Sequence, residues 1–145
     1  MAKPDPALLD PSRYPYRCLI ETRYRDLDSN LHINNGVMAS LLEEGRVRFH
    51  RESDFGGVSA EHAITGMVVS VAIEFLGQSH FPEPLEMYVA ASKLGRTSYE
   101  LSQLVMQGDE RVVFAQVTLV CVKDNKPYAI PDDHRERAQR WMLKP

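Results

Sequence analysis

Two cysteines in 145 residues are too few for a disulfide framework, and Cys18 and Cys121 each lie inside an apolar stretch. Free cysteine is among the most often buried residue types, so both read as reduced thiols in a reducing cytoplasm. Basic residues are not in excess: 17 Lys and Arg stand against 20 Asp and Glu, for a net charge of -3. Without a basic run, neither a nucleic-acid surface nor an anionic membrane surface is indicated. Long hydrophobic runs are missing as well. The opening "MAKPDPALLDPSRYP" is broken by Pro4, Pro6, Pro11 and Pro15, which excludes a signal-peptide core or a membrane helix and leaves an extended arm. A Gly-x-Ser-x-Gly elbow is absent, which argues against an α/β-hydrolase. His50, His62, His80 and His134 show no convergent spacing with cysteines or carboxylates, so no metal and no cofactor is expected.

What is present suits one ordinary domain, an arm over residues 1–15 and a single unit over 16–145, with 43% hydrophobic residues to build its core. "YRCLIETRYRDLD" alternates as a strand does. In the following "NNGVMASLLEEGRVRFHRE", Val37, Met38, Leu41, Leu42, Gly45 and Phe49 form one stripe at helical spacing, flanked by Glu44 and Arg46. A glycine on that stripe costs about 1 kcal/mol against alanine, which makes sense where the helix backbone lies close to a sheet. From residue 67 four strand-like runs follow, "MVVSVAIEFLG", "LEMYVAASKLG", "SYELSQLVMQG" and "RVVFAQVTLVCVK", separated by loops rich in turn residues. Alternation puts Met67, Val69, Val71, Ile73 and Phe75 on one face of the first run and Glu74 on the other. The last run is apolar on both faces, as a strand covered from both sides would be. "PDDHRERAQRWM" reads as a short helix with an Asp cap. One long helix against about five antiparallel strands is an α+β architecture with one sheet face left for a partner chain.

"YRDLDSNLHINNG", residues 24–36, admits three readings. A calcium loop starting at Asp26 needs Gly at its sixth position and Glu at its twelfth, where Leu31 and Val37 stand. A hairpin at Asn35-Gly36 needs a strand after it, and helical periodicity follows instead. The third reading is a polar cluster, Asp28, Asn30 and His32, leading into a helix capped by Asn34 or Asn35. A helix N-terminus offers unpaired N–H groups and partial positive charge, which acyl transfer uses to stabilise an oxyanion.

Residues 23–46 also resemble the signature of hotdog-fold acyl thioesterases. They carry an Arg-aromatic-x-Asp-x-Asp lead, then His-x-Asn-Asn opening the helix, then Glu-Glu-x-Arg upon it. The strand and turn pattern extends the likeness over about residues 16–131. The resemblance implies a hotdog fold, one long helix on a five-stranded antiparallel sheet. It also implies an acyl-CoA thioesterase acting as a homodimer or homotetramer with sites between subunits. On the 4-hydroxybenzoyl-CoA thioesterase pattern, Asp28 is the nucleophile or general base and the backbone N–H of Asn35 the oxyanion donor. The plant acyl-ACP thioesterase string falls on Asp28, Asn30 and His32, with Glu74 on the following strand. In the family the "KLGRTS" turn contacts the CoA portion, which points to Lys93, Arg96 and Ser98; arginine suits phosphate through its planar fork. Acyl-CoA or acyl-ACP is the implied substrate. A hydroxyacyl dehydratase or hydratase, or an idle acyl-binding module on the same fold, are the alternatives.

Overall fold

The computed structural model describes residues 4–56 and 64–145, and the statements below concern those residues. His62 lies outside them.

One long helix, α1 (Asn35–Ser53), packs on a curled antiparallel sheet, an α+β arrangement. The five long strands are β1 (Tyr16–Ile20), β2 (Thr65–Phe75), β3 (Leu85–Leu94), β4 (Ser98–Gln107) and β5 (Glu110–Lys123), in the spatial order β1-β3-β4-β5-β2. A two-residue strand, β6 (Lys126–Pro127), folds back on β5. Its turn places Asp124 and Asn125 at φ 52° and 61°, left-handed values that a tight hairpin needs and these residue types tolerate. Both cysteines are free thiols, Cys121 buried and Cys18 half-buried. Among the described residues no helix is long and apolar enough to cross a membrane.

Several expectations are corrected. The first strand stops at Ile20, and Tyr24–Asp26 forms a 3-10 turn. The cause is Asp26, 1% exposed, whose carboxylate accepts from the Arg23 backbone and guanidinium and whose carbonyl accepts the Asn34 N–H. The arm is not extended. Asp5 and Asp10 cap 3-10 turns at Pro6–Leu9 and Pro11–Arg13, which set Tyr14 and Leu9 against Ala90, Leu104 and Met106 on the outer face of the sheet. The arm covers this part of the outer face. A bulge at Val69 breaks the alternation in β2, since Val68 pairs with Leu119 but Ser70 with Thr118. Val71, Ile73 and Phe75 therefore share the helix-facing side with Val68, and Met67 falls on the other side with Glu74. Helix α2 (Asp132–Ala138) follows Pro131 with no side-chain cap; Asp132 and Asp133 occupy its first turn, where the helix dipole favours them.

The core fills the space between α1 and the sheet. Met38, Leu42, Gly45 and Phe49 of the helix stripe are buried, and the sheet positions in the same core include Met87, Val89, Leu101, Val105 and Val117. Arg46, read from sequence as a flanking residue, is buried too. A Cβ built on Gly45 would lie 2.6 Å from Met87 Cγ and 3.3 Å from Gln103 Nε2, so the glycine marks where helix backbone meets strand side chains. Gly45→Ala should gain about 1 kcal/mol of helix propensity but lose more to overpacking, for a net loss of about 1 kcal/mol. Urea unfolding measures this; a variant as stable as the wild type would show that Met87 yields freely.

Candidate active site

The connection from β1 to α1 is a mesh of short polar bonds. Asp28 Oδ1 accepts the backbone N–H of Asn30 at 2.8 Å and of His32 at 3.2 Å. The Asp28 N–H donates to the His32 carbonyl at 2.8 Å, and the Leu31 N–H to the Asp28 carbonyl at 3.0 Å. This closes the loop so tightly that Leu31 takes φ 61°, an uncommon conformation for a residue with a side chain. The Ile33 N–H then bonds the Ser79 carbonyl, which ties the loop to the segment after β2. Only one oxygen of the Asp28 carboxylate is engaged; among the described residues Oδ2 has no protein donor.

Asn34 is the N-cap of α1. Its side-chain oxygen accepts from Gly36 N–H at 2.8 Å and Val37 N–H at 3.4 Å, and its carbonyl accepts from Met38 N–H at 2.9 Å. Of the amides at this helix end, the Asn35 N–H is left with no acceptor among the described residues. Asp28, Asn30, His32 and Asn35 line one cavity of about 410 Å³, closed by Met38, Phe75 and residues 76–79. Four of the five expected catalytic residues are thus brought together.

The fifth, Glu74, is elsewhere. It pairs with Phe114 on the outer face of the sheet and does not line this cavity. Lys93, Arg96 and Ser98 sit at the β3–β4 turn, at the opposite end of the strands, roughly 30 Å away along β4. Lys93 is exposed and 3.9 Å from Glu100, Arg96 is exposed, and the Ser98 carbonyl accepts the Gly95 N–H at 2.7 Å. Arg135 of α2 holds this turn by donating to the Gly95 and Arg96 carbonyls, a contact that sequence spacing does not reveal. Sequence also misses Ser79, in the cavity wall, and His80, whose ring packs on His32 at 5.2 Å between centroids. Both come from "QSHFPEP", whose composition says only loop. Among the described residues no three His, Cys, Asp or Glu side chains gather as a metal site would require.

From the Asn35 end, two further cavities follow α1 along β2. One of about 480 Å³ lies between Leu42, Glu43 and Arg46 on the helix and Val68, Val71 and Ile73 on the strand. The next, about 450 Å³, shares Glu43, Arg46 and Val68 and reaches His50. His50 Nε2 is 3.0 Å from the Tyr99 hydroxyl.

Known proteins share this architecture. The family model of the thioesterase-like superfamily matches residues 22–138. A search of curated protein sequences finds no match. Among solved structures, a thioesterase from Thermus thermophilus, complexed with coenzyme A and Zn, is 26% identical over 92% of this chain and 98% of that one, with a TM-score of 0.77. YbaW, a probable thioesterase from Escherichia coli, is 23% identical over 87% and 98% of the two chains, with a TM-score of 0.71. Slr0204, a 1,4-dihydroxy-2-naphthoyl-CoA thioesterase from Synechocystis, is 12% identical over 86% and 95%, with a TM-score of 0.73. The chain belongs to the thioesterase-like superfamily. It is a thioester hydrolase on the hotdog fold.

Burial, and then the charge of Arg46, push the His50 pKa down to about 4. The unfolded imidazole titrates near 6.5, so the unfolded chain binds the proton first as pH falls. The stability from neutral His50 is intact above about pH 6.5 and lost progressively toward pH 4, about 2 kcal/mol of it between pH 7 and 5. His50→Gln should remove that part of the pH dependence, measured by denaturant unfolding at the two pH values; equal slopes in both proteins would exclude His50 as its source.

Proposed function

We propose that the chain hydrolyses an acyl-CoA thioester to the free acid and CoA, with Asp28 as nucleophile or general base. One observation carries this: a carboxylate with one oxygen unengaged and a helix amide with no acceptor among the described residues line the same cavity. Asp28 either attacks the thioester carbon directly or takes a proton from a water that attacks it. In both routes the carbonyl oxygen gains the electron pair and accepts the Asn35 N–H. The carbonyl then re-forms as the C–S bond breaks. The departing thiolate has a conjugate pKa of roughly 8.5, so no strong general acid is needed. In the covalent route water then cleaves the acyl-aspartate. Asn30 and His32 complete the cavity wall and orient the water or the thioester.

CoA is favoured as the carrier by the complex of the Thermus relative with coenzyme A. The basic turn with Lys93 and Arg96 suits the phosphates of CoA, yet it lies at the wrong end of its own sheet to serve its own Asp28. A second copy would supply the missing turn. Strand β2 is an open edge whose Met67, Val69, Val71 and Phe75 are each about half exposed. Pairing β2 antiparallel with its copy about a two-fold axis sets the Thr65 end of one strand beside the Phe75 end of the other. The partner subunit's Arg96 then approaches this protomer's Asp28. A sedimentation mass of an even multiple of 16.5 kDa is expected, and a monomer at assay concentration would exclude the shared site.

Two substitutions test the chemistry while sparing the fold. Asp28→Asn should abolish release of CoA thiol from acyl-CoA esters. Asn35→Pro removes the amide hydrogen with little strain, because proline is well accepted at the first helical position and Asn34 already has the extended ψ of 139° that suits a following proline. Asn35→Ala, which keeps the amide, is its control. Loss of one oxyanion donor should lower kcat by about 10²–10³ with little change in Tm. Wild-type turnover in Asp28→Asn or Asn35→Pro would refute the corresponding role.

A further inference from the structure

We propose that Arg46 reads the far end of the acyl group, so that the preferred thioester carries an oxygen acceptor there, a hydroxyl or a carboxylate, rather than a methyl. The inference rests on the thioesterase reading of the Asp28 cavity and deepens it.

Arg46 borders both cavities beyond the Asp28 site. It is 8% exposed, and among the described residues its one hydrogen bond runs from Nη1 to Gln103 Oε1 at 3.1 Å. A guanidinium has five N–H donors. Gln103 is itself committed, since its Nε2 donates to the Leu42 carbonyl at 2.9 Å, so it holds Arg46 in place without satisfying it. Burial weighs against the Arg46 charge, and the Glu43 carboxylate, exposed at the rim of both cavities, favours it. His50, the next polar group along the helix, is neutral at neutral pH and supplies no counter-charge.

The path to Arg46 is apolar along β2 and at Ala39 and Leu42, with Ser40 and Glu43 as the other helix residues that line it. Leu42 on the helix and Val68, Val71 and Ile73 on β2 line the middle cavity, walls suited to methylene groups. Arg46 lies three turns beyond Asn35 on α1, roughly 16 Å at the helical rise per residue. An acyl chain whose carbonyl meets the Asn35 amide and which runs along this groove brings its far end to guanidinium donors that no described protein group engages and that solvent still reaches. A methyl there displaces the water on those donors without replacing its hydrogen bonds, whereas an oxygen accepts from them, and a carboxylate accepts two at once. A site built to hydrogen-bond its substrate rejects the analogue that lacks the acceptor.

The test uses non-hydrolysable CoA thioether analogues of one chain length, long enough to span the groove and ending in methyl, hydroxyl or carboxylate. Calorimetric Kd values are measured on the full chain. The wild type should bind one or both oxygen-ended analogues roughly tenfold more tightly than the methyl-ended one. Arg46→Met should bring that ratio to one or invert it, an outcome that a merely structural role for Arg46 would not produce; a folded variant that keeps the wild-type ratio overturns the proposal. Equal or tighter binding of the methyl-ended analogue by the wild type overturns it too, and this comparison stands even if the variant fails to fold. A failure to bind any of the three overturns it as well. Thiol release from acyl-CoA esters is followed separately: turnover without discrimination defeats the Arg46 role alone, and discrimination without turnover defeats the hydrolase mechanism alone.

Discussion

Helix α1 lies against the sheet at Gly45, and its bare backbone there sets how near the two layers come. Helix backbone meets Met87 and Gln103 directly at this point, and the rest of the helix follows from the contact. Met38, Leu42 and Phe49 fall into the core, and Arg46 comes within reach of Gln103. The helix N-terminus arrives beside Val113 and Phe75 at the end of the sheet. A larger residue would lift the helix and open the core and the groove together. The conformational cost of a glycine inside a nineteen-residue helix is offset by that packing.

The polar loop before the helix is the second organising feature. Asp26 and Asp28 are near neighbours with different tasks. Asp26 is buried, ion-paired to Arg23 and bonded through its carbonyl to the Asn34 N–H, and so positions the cap. Asp28 commits one oxygen to the backbone of its own loop and keeps the other for the cavity. Asn34 engages the next amides and leaves one unengaged. A loop tied down in this way presents carboxylate and amide in fixed relation, and preorganised donors are what make an oxyanion site effective.

The groove along β2 extends the same logic away from the reacting atoms. One of its walls is an edge strand with apolar side chains in solvent, an arrangement that an isolated chain ordinarily avoids. Covering that edge with a second copy would enclose the groove and bring the basic turn toward the carboxylate. Hydrolysis, carrier recognition and acyl selection would then meet along one helix.

Much of this was legible in the residues themselves. Helical periodicity located α1, and the glycine on the apolar stripe pointed to close packing. Local propensity and short-range hydrogen bonding act within a few residues, so the helix, an asparagine cap at 34 or 35 and the make-up of the polar cluster could be read from spacing. Other features are long-range. Strict alternation failed in β2 because the bulge at Val69 is set by pairing with β5, a strand much later in the chain. The burial of Arg46 depends on Gln103, and the separation of the "KLGRTS" turn from Asp28 depends on strand order. Which polar side chains share a cavity was therefore a matter for the folded chain, because distances between residues remote in sequence are set by packing and not by spacing.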